Sequence, residues 1–121
     1  MRKIKFKGYS IKEEKFIYGD LLTFENCFGI SEIEGERSFC IVETNSIGQF
    51  TGLYDIHGKE IYEGDIVYLE TVDKQASVTF EEEYCCFCFR YDKGSVDYNT
   101  YSVSKENIEY FKVKIIGNIN K

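Results

Sequence analysis

Apolar and polar residues alternate along much of this chain with the two-residue period of a β-strand. Ile4 and Phe6 fall on one face of residues 3–9, and Lys3, Lys5 and Lys7 on the other. That predicts a half-buried strand. Ser10 to Lys15 reads as a polar turn and Phe16-Ile17-Tyr18 as a second short strand, so residues 3–18 form a hairpin. Gly19-Asp20 is expected to end it. Leu21 to Phe24 is a short apolar run, Asn26 to Gly29 breaks the chain again, and residues 30–36 are acidic and irregular. Arg37 to Glu43, with Phe39, Ile41 and Val42, reads as a strand.

The second half is more regular. Ile66 to Val72 is the strongest strand, Asp73-Lys74-Gln75 turns the chain, and Ala76 to Phe80 returns beside it. Strands follow at Tyr84 to Tyr91 and Val96 to Val103, joined by a turn at Asp92-Lys93-Gly94-Ser95. Ser104 is a good N-cap for one helical turn over 104–110. Phe111 to Ile119 closes as a strand with Phe111, Val113 and Ile115 on one face. Four strands, a helical turn and a fifth strand is the layout of an SH3-like barrel. The predicted fold is therefore mainly β: a small, partly open barrel over residues 61–121, an N-terminal β-hairpin and loop region over 1–60, and at most one short helical turn. The 121 residues suit a single structural unit.

Composition supports the strand reading. There are 27 β-branched residues, 10 Tyr and 10 Phe, against 4 Leu and the single Ala76. A helix bundle would need the reverse. No stretch approaches the roughly 20 apolar residues of a membrane span, and the charged N-terminus lacks the apolar run of a signal peptide. The expectation is a cytoplasmic protein with no membrane association.

Charge is unevenly spread. The net −6 divides into +4 over residues 1–19, −12 over 20–83 and +2 over 84–121. The acidic centre disfavours broad nucleic-acid binding, which needs a basic stripe. The basic ends would meet if the first strand paired with the last. The plainer reading is a solvated edge strand guarded by lysines.

Candidate chemistry is sparse. Five cysteines cannot pair fully within one chain, and reduced thiols are the default. Cys85-Cys86-Phe87-Cys88 has the wrong spacing for a zinc knuckle, and in a strand Cys86 and Cys88 would share a face that Cys85 does not. His57, the only histidine, sits in an apparent turn. Asp55 and Asp65, with Gly48, Gly52, Gly58 and Gly64, read as structural turn residues. Asp20, Asp55, Glu63 and Asp65 could gather around Mg²⁺, but their spacing does not require it. No nucleophile motif or phosphate loop appears, so no catalytic residue, metal or cofactor is assigned. Gln49, Phe50, Thr51, Tyr54 and His57 form a candidate interaction loop. Phe50 can plug the core beneath that loop or stand exposed to dock a partner, and the plug is the commoner outcome.

The run from Ile47 through Gly52-Leu53-Tyr54-Asp55-Ile56-His57-Gly58-Lys59 to Glu63-Gly64-Asp65-Ile66-Val67 resembles the signature of the YopX family. The opening Arg2 to Phe6, Ile17-Tyr18-Gly19-Asp20 and the closing Ile115-Ile116-Gly117-Asn118-Ile119 are similar to the family's ends. Where this chain has Gly8-Tyr9-Ser10, the family often has Trp-Asp. The resemblance implies fold kinship and an origin in phages or prophages; it implies no activity. The expected function is a non-enzymatic module that binds an unknown host or phage protein. A nucleic-acid-binding barrel and an acidic mimic of nucleic acid are the alternatives, and self-association is left open.

Overall fold

The computed structural model describes residues 3–32, 38–92 and 98–120, with Asp92 and Tyr98 in backbone only. The chain divides between Phe50 and Thr51 into two compact units. Both units are built on antiparallel sheet.

The first unit contains β1 (Phe6–Ser10), β2 (Lys15–Thr23), β3 (Phe28–Ser31), β4 (Cys40–Val42) and the start of β5 (Gly48–Tyr54), in the order β4-β3-β2-β1-β5. The hairpin is present, with Tyr9 opposite Phe16. Ile17, Ile30 and Val42 form the core, and Phe6, Leu21 and Phe28 pack against it. The sheet curls, so that Glu43 N–H reaches the Tyr9 carbonyl at 2.9 Å. A single hydroxyl fixes this corner: Ser46 Oγ accepts from Tyr9 N at 2.7 Å and donates to the Glu43 carbonyl at 2.7 Å.

Several expectations for this half are corrected. Gly19-Asp20 does not end the strand; β2 runs through it, with Asp20 opposite Ser31. Phe28 and Gly29, expected as a break, and Ile30 and Ser31, expected as irregular, make β3. The first strand is not an edge. It is flanked by β2 and, through Lys7 opposite Gly48, by β5. Lys7 is also buried, at 5% exposure, with its ammonium 4.9 Å from the Phe16 ring centroid. Cation–π attraction and a buried aliphatic stem let a lysine occupy such a site.

The second unit begins with Thr51–Tyr54 of β5, beside β6 (Glu60–Tyr62). It continues through β7 (Asp65–Leu69), a 3₁₀ turn at Glu70–Val72, β8 (Lys74–Glu81), β9 (Cys86–Asp92), β10 (Tyr98–Ser102), helix α1 (Lys105–Phe111) and β11 (Lys114–Asn118). These last five strands lie in the order β10-β9-β8-β7-β11. The expected order of four strands, a helical turn and a fifth strand is present; β11 lies beside β7, and the sheet is not closed. The last strand of the chain thus pairs with β7 and the first with β2 and β5, so the imagined pairing of basic ends does not occur. The turn expected at residues 93–95 lies outside the described residues.

The core of this unit is Ile61, Val67, Leu69, Val78, Phe89, Ile108, Phe111 and Val113 among others. The helix replaces the first residues of the strand expected from Phe111. Ser104 Oγ caps it by accepting from Asn107 N at 3.2 Å. Phe111 then turns inward against Tyr101, ring centroids 4.8 Å apart. Lys112, at φ 52°, ends the helix and β11 starts at Lys114.

Gly19 shows how closely the first sheet is packed. At φ 154°, a Cβ there would lie 2.0 Å from the Ser31 carbonyl oxygen. Gly58 has φ 80° but open space around it. Gly19→Ala should therefore cost on the order of 3 kcal/mol, and Gly58→Ala only the conformational penalty of about 1 kcal/mol. Urea denaturation of both variants checks this; equal costs would refute the packing argument.

Candidate functional site

The most regular polar construction in the second unit centres on Asp55, which is buried at the end of β5. One carboxylate oxygen accepts from His57 N at 2.8 Å and Lys59 N at 2.9 Å. The other accepts from Ile115 N at 3.0 Å, sixty residues along the chain on β11. Backbone bonds complete the turn, from Asp55 N to the Lys59 carbonyl and from Gly58 N to the Asp55 carbonyl. Ile56 N donates to the Val113 carbonyl at 3.1 Å, just before β11. Burial pushes the Asp55 carboxyl up, but the three backbone N–H donors, helped by His57, outweigh it and hold the group below the usual carboxylate value.

Asp65 plays a parallel part. It accepts from Tyr62 N at 2.8 Å with one oxygen and from Asn118 Nδ2 at 3.1 Å with the other. Neighbouring Gly64 donates to the Val78 carbonyl and accepts from Ile119 N. Thr51 is also committed inward, its hydroxyl donating to the Ile61 carbonyl at 2.8 Å and accepting from Leu53 N at 3.3 Å.

Beside this turn an open groove of about 470 Å³ lies between residues 53–56 and helix α1. Leu53, Tyr54, Ile56 and Ile108 line it, with Asp55 at its end and Lys105 and Glu109 on the helix side. Tyr54 and Ile56 are 46% and 43% exposed. The volume lies within the range of about 300–1,000 Å³ typical of ligand pockets. Apolar walls rimmed by two carboxylates, Asp55 and Glu109, and one ammonium, Lys105, can seat an apolar side chain of a partner.

The expected interaction loop is not a loop. Gly48–Tyr54 is strand β5, because Gly48 and Gln49 pair with Lys7 and Phe6. Gly48 is accordingly not a turn residue. Phe50 is 4% exposed, with Lys5 Nζ 5.6 Å from its ring centroid. Gln49 and Phe50 belong to the first unit and Thr51 to the second. His57 is exposed in the turn, and of the five candidates only Tyr54 lines the groove. Gly58 and Gly64 sit in turns with positive φ, whereas Gly52, also at positive φ, lies inside β5 and like Gly48 is not a turn residue. Among the described residues, no group of three or more His, Cys, Asp or Glu side chains gathers to hold a metal. The sequence reading missed Ile56, Lys105, Ile108 and Glu109. Ile56 carried a local signal, an aliphatic residue inside a polar turn. The helix residues carried none, because only the topology brings them to residues 53–56.

The YopX protein family model matches residues 5–121, nearly the whole chain, and the chain belongs to that family. No curated protein matches it.

Asp55→Asn tests the construction. The amide retains one acceptor oxygen but turns an N–H₂ toward Ile115 N or toward the turn. The loss should be about 2–3 kcal/mol at pH 7. Because the folded carboxyl titrates below its unfolded value of about 3.9, its stabilisation is complete above that pH and disappears as pH falls through the folded pKa. The gap between wild type and variant should be constant from about pH 7 to 5 and narrow as the pH falls below about 4. Denaturant melts across that range decide it, and a gap independent of pH would exclude the carboxylate role.

Proposed function

We propose that this YopX-family protein is a non-enzymatic interaction module that binds a host or phage protein in the bacterial cytoplasm, through the groove between residues 53–56 and helix α1. The carrying observation is the pair of exposed apolar side chains, Tyr54 and Ile56, set on a turn that Asp55 ties to β11. Large apolar groups on a rigid support lose little entropy on binding and make efficient anchors. The polar groups of the surrounding signature, Asp55, Asp65 and Thr51, are spent on internal hydrogen bonds. That favours recognition over chemistry. No helix among the described residues is long and apolar enough to cross a membrane.

A nucleic-acid role has less support. In the Tyr-rich segment 84–101, Tyr84 is exposed, but Tyr91 is buried and Tyr101 packs against the core. Arg90 lies 4.0 Å from Glu81 rather than beside a free acceptor surface. Single-strand binding needs exposed rings beside unopposed cations.

A photo-crosslinking aromatic residue placed at Tyr54 should capture a discrete protein in infected or lysogenic cells. The same residue at Tyr18, an exposed aromatic of the first unit, should not. Ile56→Asp should lower capture at least about tenfold, equivalent to 1.4 kcal/mol, and change stability by less than about 0.5 kcal/mol. Equal capture from both positions, or none from Tyr54, would reject the groove.

A further inference from the structure

The five cysteines are free, and two of them make a pair. Cys86 and Cys88 lie two residues apart on β9, so their side chains share one face of the strand. Their sulfur atoms are 3.7 Å apart. Cys88 is buried at 2% exposure and Cys86 is half-buried, so approach to the pair is past Cys86. Cys85 is exposed in the preceding turn.

Three outcomes are available to two adjacent thiols. A disulfide is disfavoured. Residues i and i+2 of a strand have Cα atoms about 6.6 Å apart, near the upper limit of about 6.8 Å for a disulfide, and their Cβ atoms point the same way. A four-coordinate zinc site is not built, since among the described residues no third ligand of the right type joins the pair. On the facing strand Glu81 pairs with Cys86 in register, but it already accepts from Thr79 Oγ1 at 2.6 Å and faces Arg90. The remaining outcome is a single bridging atom that is satisfied by two sulfurs. It spans the gap without drawing the two Cβ atoms together.

We propose that Cys86 and Cys88 form a two-thiol binding site for a trivalent thiophilic metalloid, of which an arsenical bearing one organic group is the type. The step balances without an oxidant. The hydrated arsenical carries two hydroxyls on arsenic; both As–O bonds break and two As–S bonds form. Each thiol proton leaves on a hydroxyl as water, and arsenic remains trivalent. Burial, followed by the hydrogen bond and charge of Cys86 and the charge of Glu81, pushes the Cys88 thiol up to about 12. Cys88 is therefore protonated at neutral pH and slow toward reagents that need one thiolate. The first bond, made at Cys86, then holds arsenic against Cys88 and makes the second intramolecular.

Phenylarsine oxide is the probe, with adducts counted by intact mass on the full chain. Wild type should carry one adduct that survives excess glutathione, a monothiol, and is removed by dithiothreitol, a dithiol. Cys85→Ser, Cys27→Ser and Cys40→Ser should keep it; Cys86→Ser and Cys88→Ser should lose it. Because replacing buried Cys88 can disturb the fold, Cys86→Ser is the decisive variant, with its far-UV circular dichroism matched to wild type. A glutathione-resistant adduct that persists in folded Cys86→Ser, or its absence from wild type, would overturn the proposal.

Discussion

The second unit depends on one carboxylate. Asp55 joins a local turn to a strand sixty residues away, and does so with charge-assisted hydrogen bonds, the strong class of such interactions. β11 is an edge strand of its sheet, and an edge presents unpaired N–H groups that invite foreign strands. Asp55 accepts one of them at Ile115, and the Ile56 amide bonds the carbonyl of Val113 just ahead of the strand. The 55–59 segment thus covers the edge without adding another strand. In doing so it fixes the direction of Tyr54 and Ile56, so the groove beside α1 follows from the same bond that protects the sheet.

Charge has a different meaning in the first unit. The alternation of lysines with apolar residues at the N-terminus suggests one wet face and one dry face. Instead β1 is flanked on both sides, and two N-terminal lysines lie over aromatic rings: Lys7, in β1, over Phe16 and Lys5, just before it, over Phe50. The long aliphatic stems cover ring surface while the ammonium groups meet the π faces. The excess positive charge of residues 1–19 is therefore partly a packing device and is a poor guide to partners.

What was legible in the sequence was legible for local reasons. The strands from Asp65 to Ser102 are rich in β-branched and aromatic residues and pair with their sequence neighbours. The α1 helix was visible because Ser104 carries its cap beside it. The failures are non-local. Gly19 looks like a break, yet its missing side chain is what lets the β3 backbone approach. Gly48 and Gly52 make residues 48–54 look like a loop, but Lys7 and Phe6 recruit its first residues into a ladder more than forty positions away. The same applies to the groove. Tyr54 could be singled out as an unusual aromatic, whereas Ile108 and Lys105 reach it only through the helix that packs over the second core.

A signature made of turn residues identifies a scaffold more surely than a ligand. Gly58 and Gly64 supply backbone conformations, Asp55 and Asp65 satisfy amides, and Thr51 bonds a neighbouring strand. Each is needed for the second unit to keep its shape, whatever it binds. On the proposed reading, recognition falls to side chains that the core does not bury, and at the groove these are the exposed Tyr54 and Ile56. Such a division allows the partner-facing residues to vary without loss of fold, because an exposed side chain in an open groove carries little of the stability. It also explains why the long motif, read alone, points to kinship and is silent on chemistry: the side chains of Asp55, Asp65 and Thr51 are committed to backbone amides and carbonyls of the second unit.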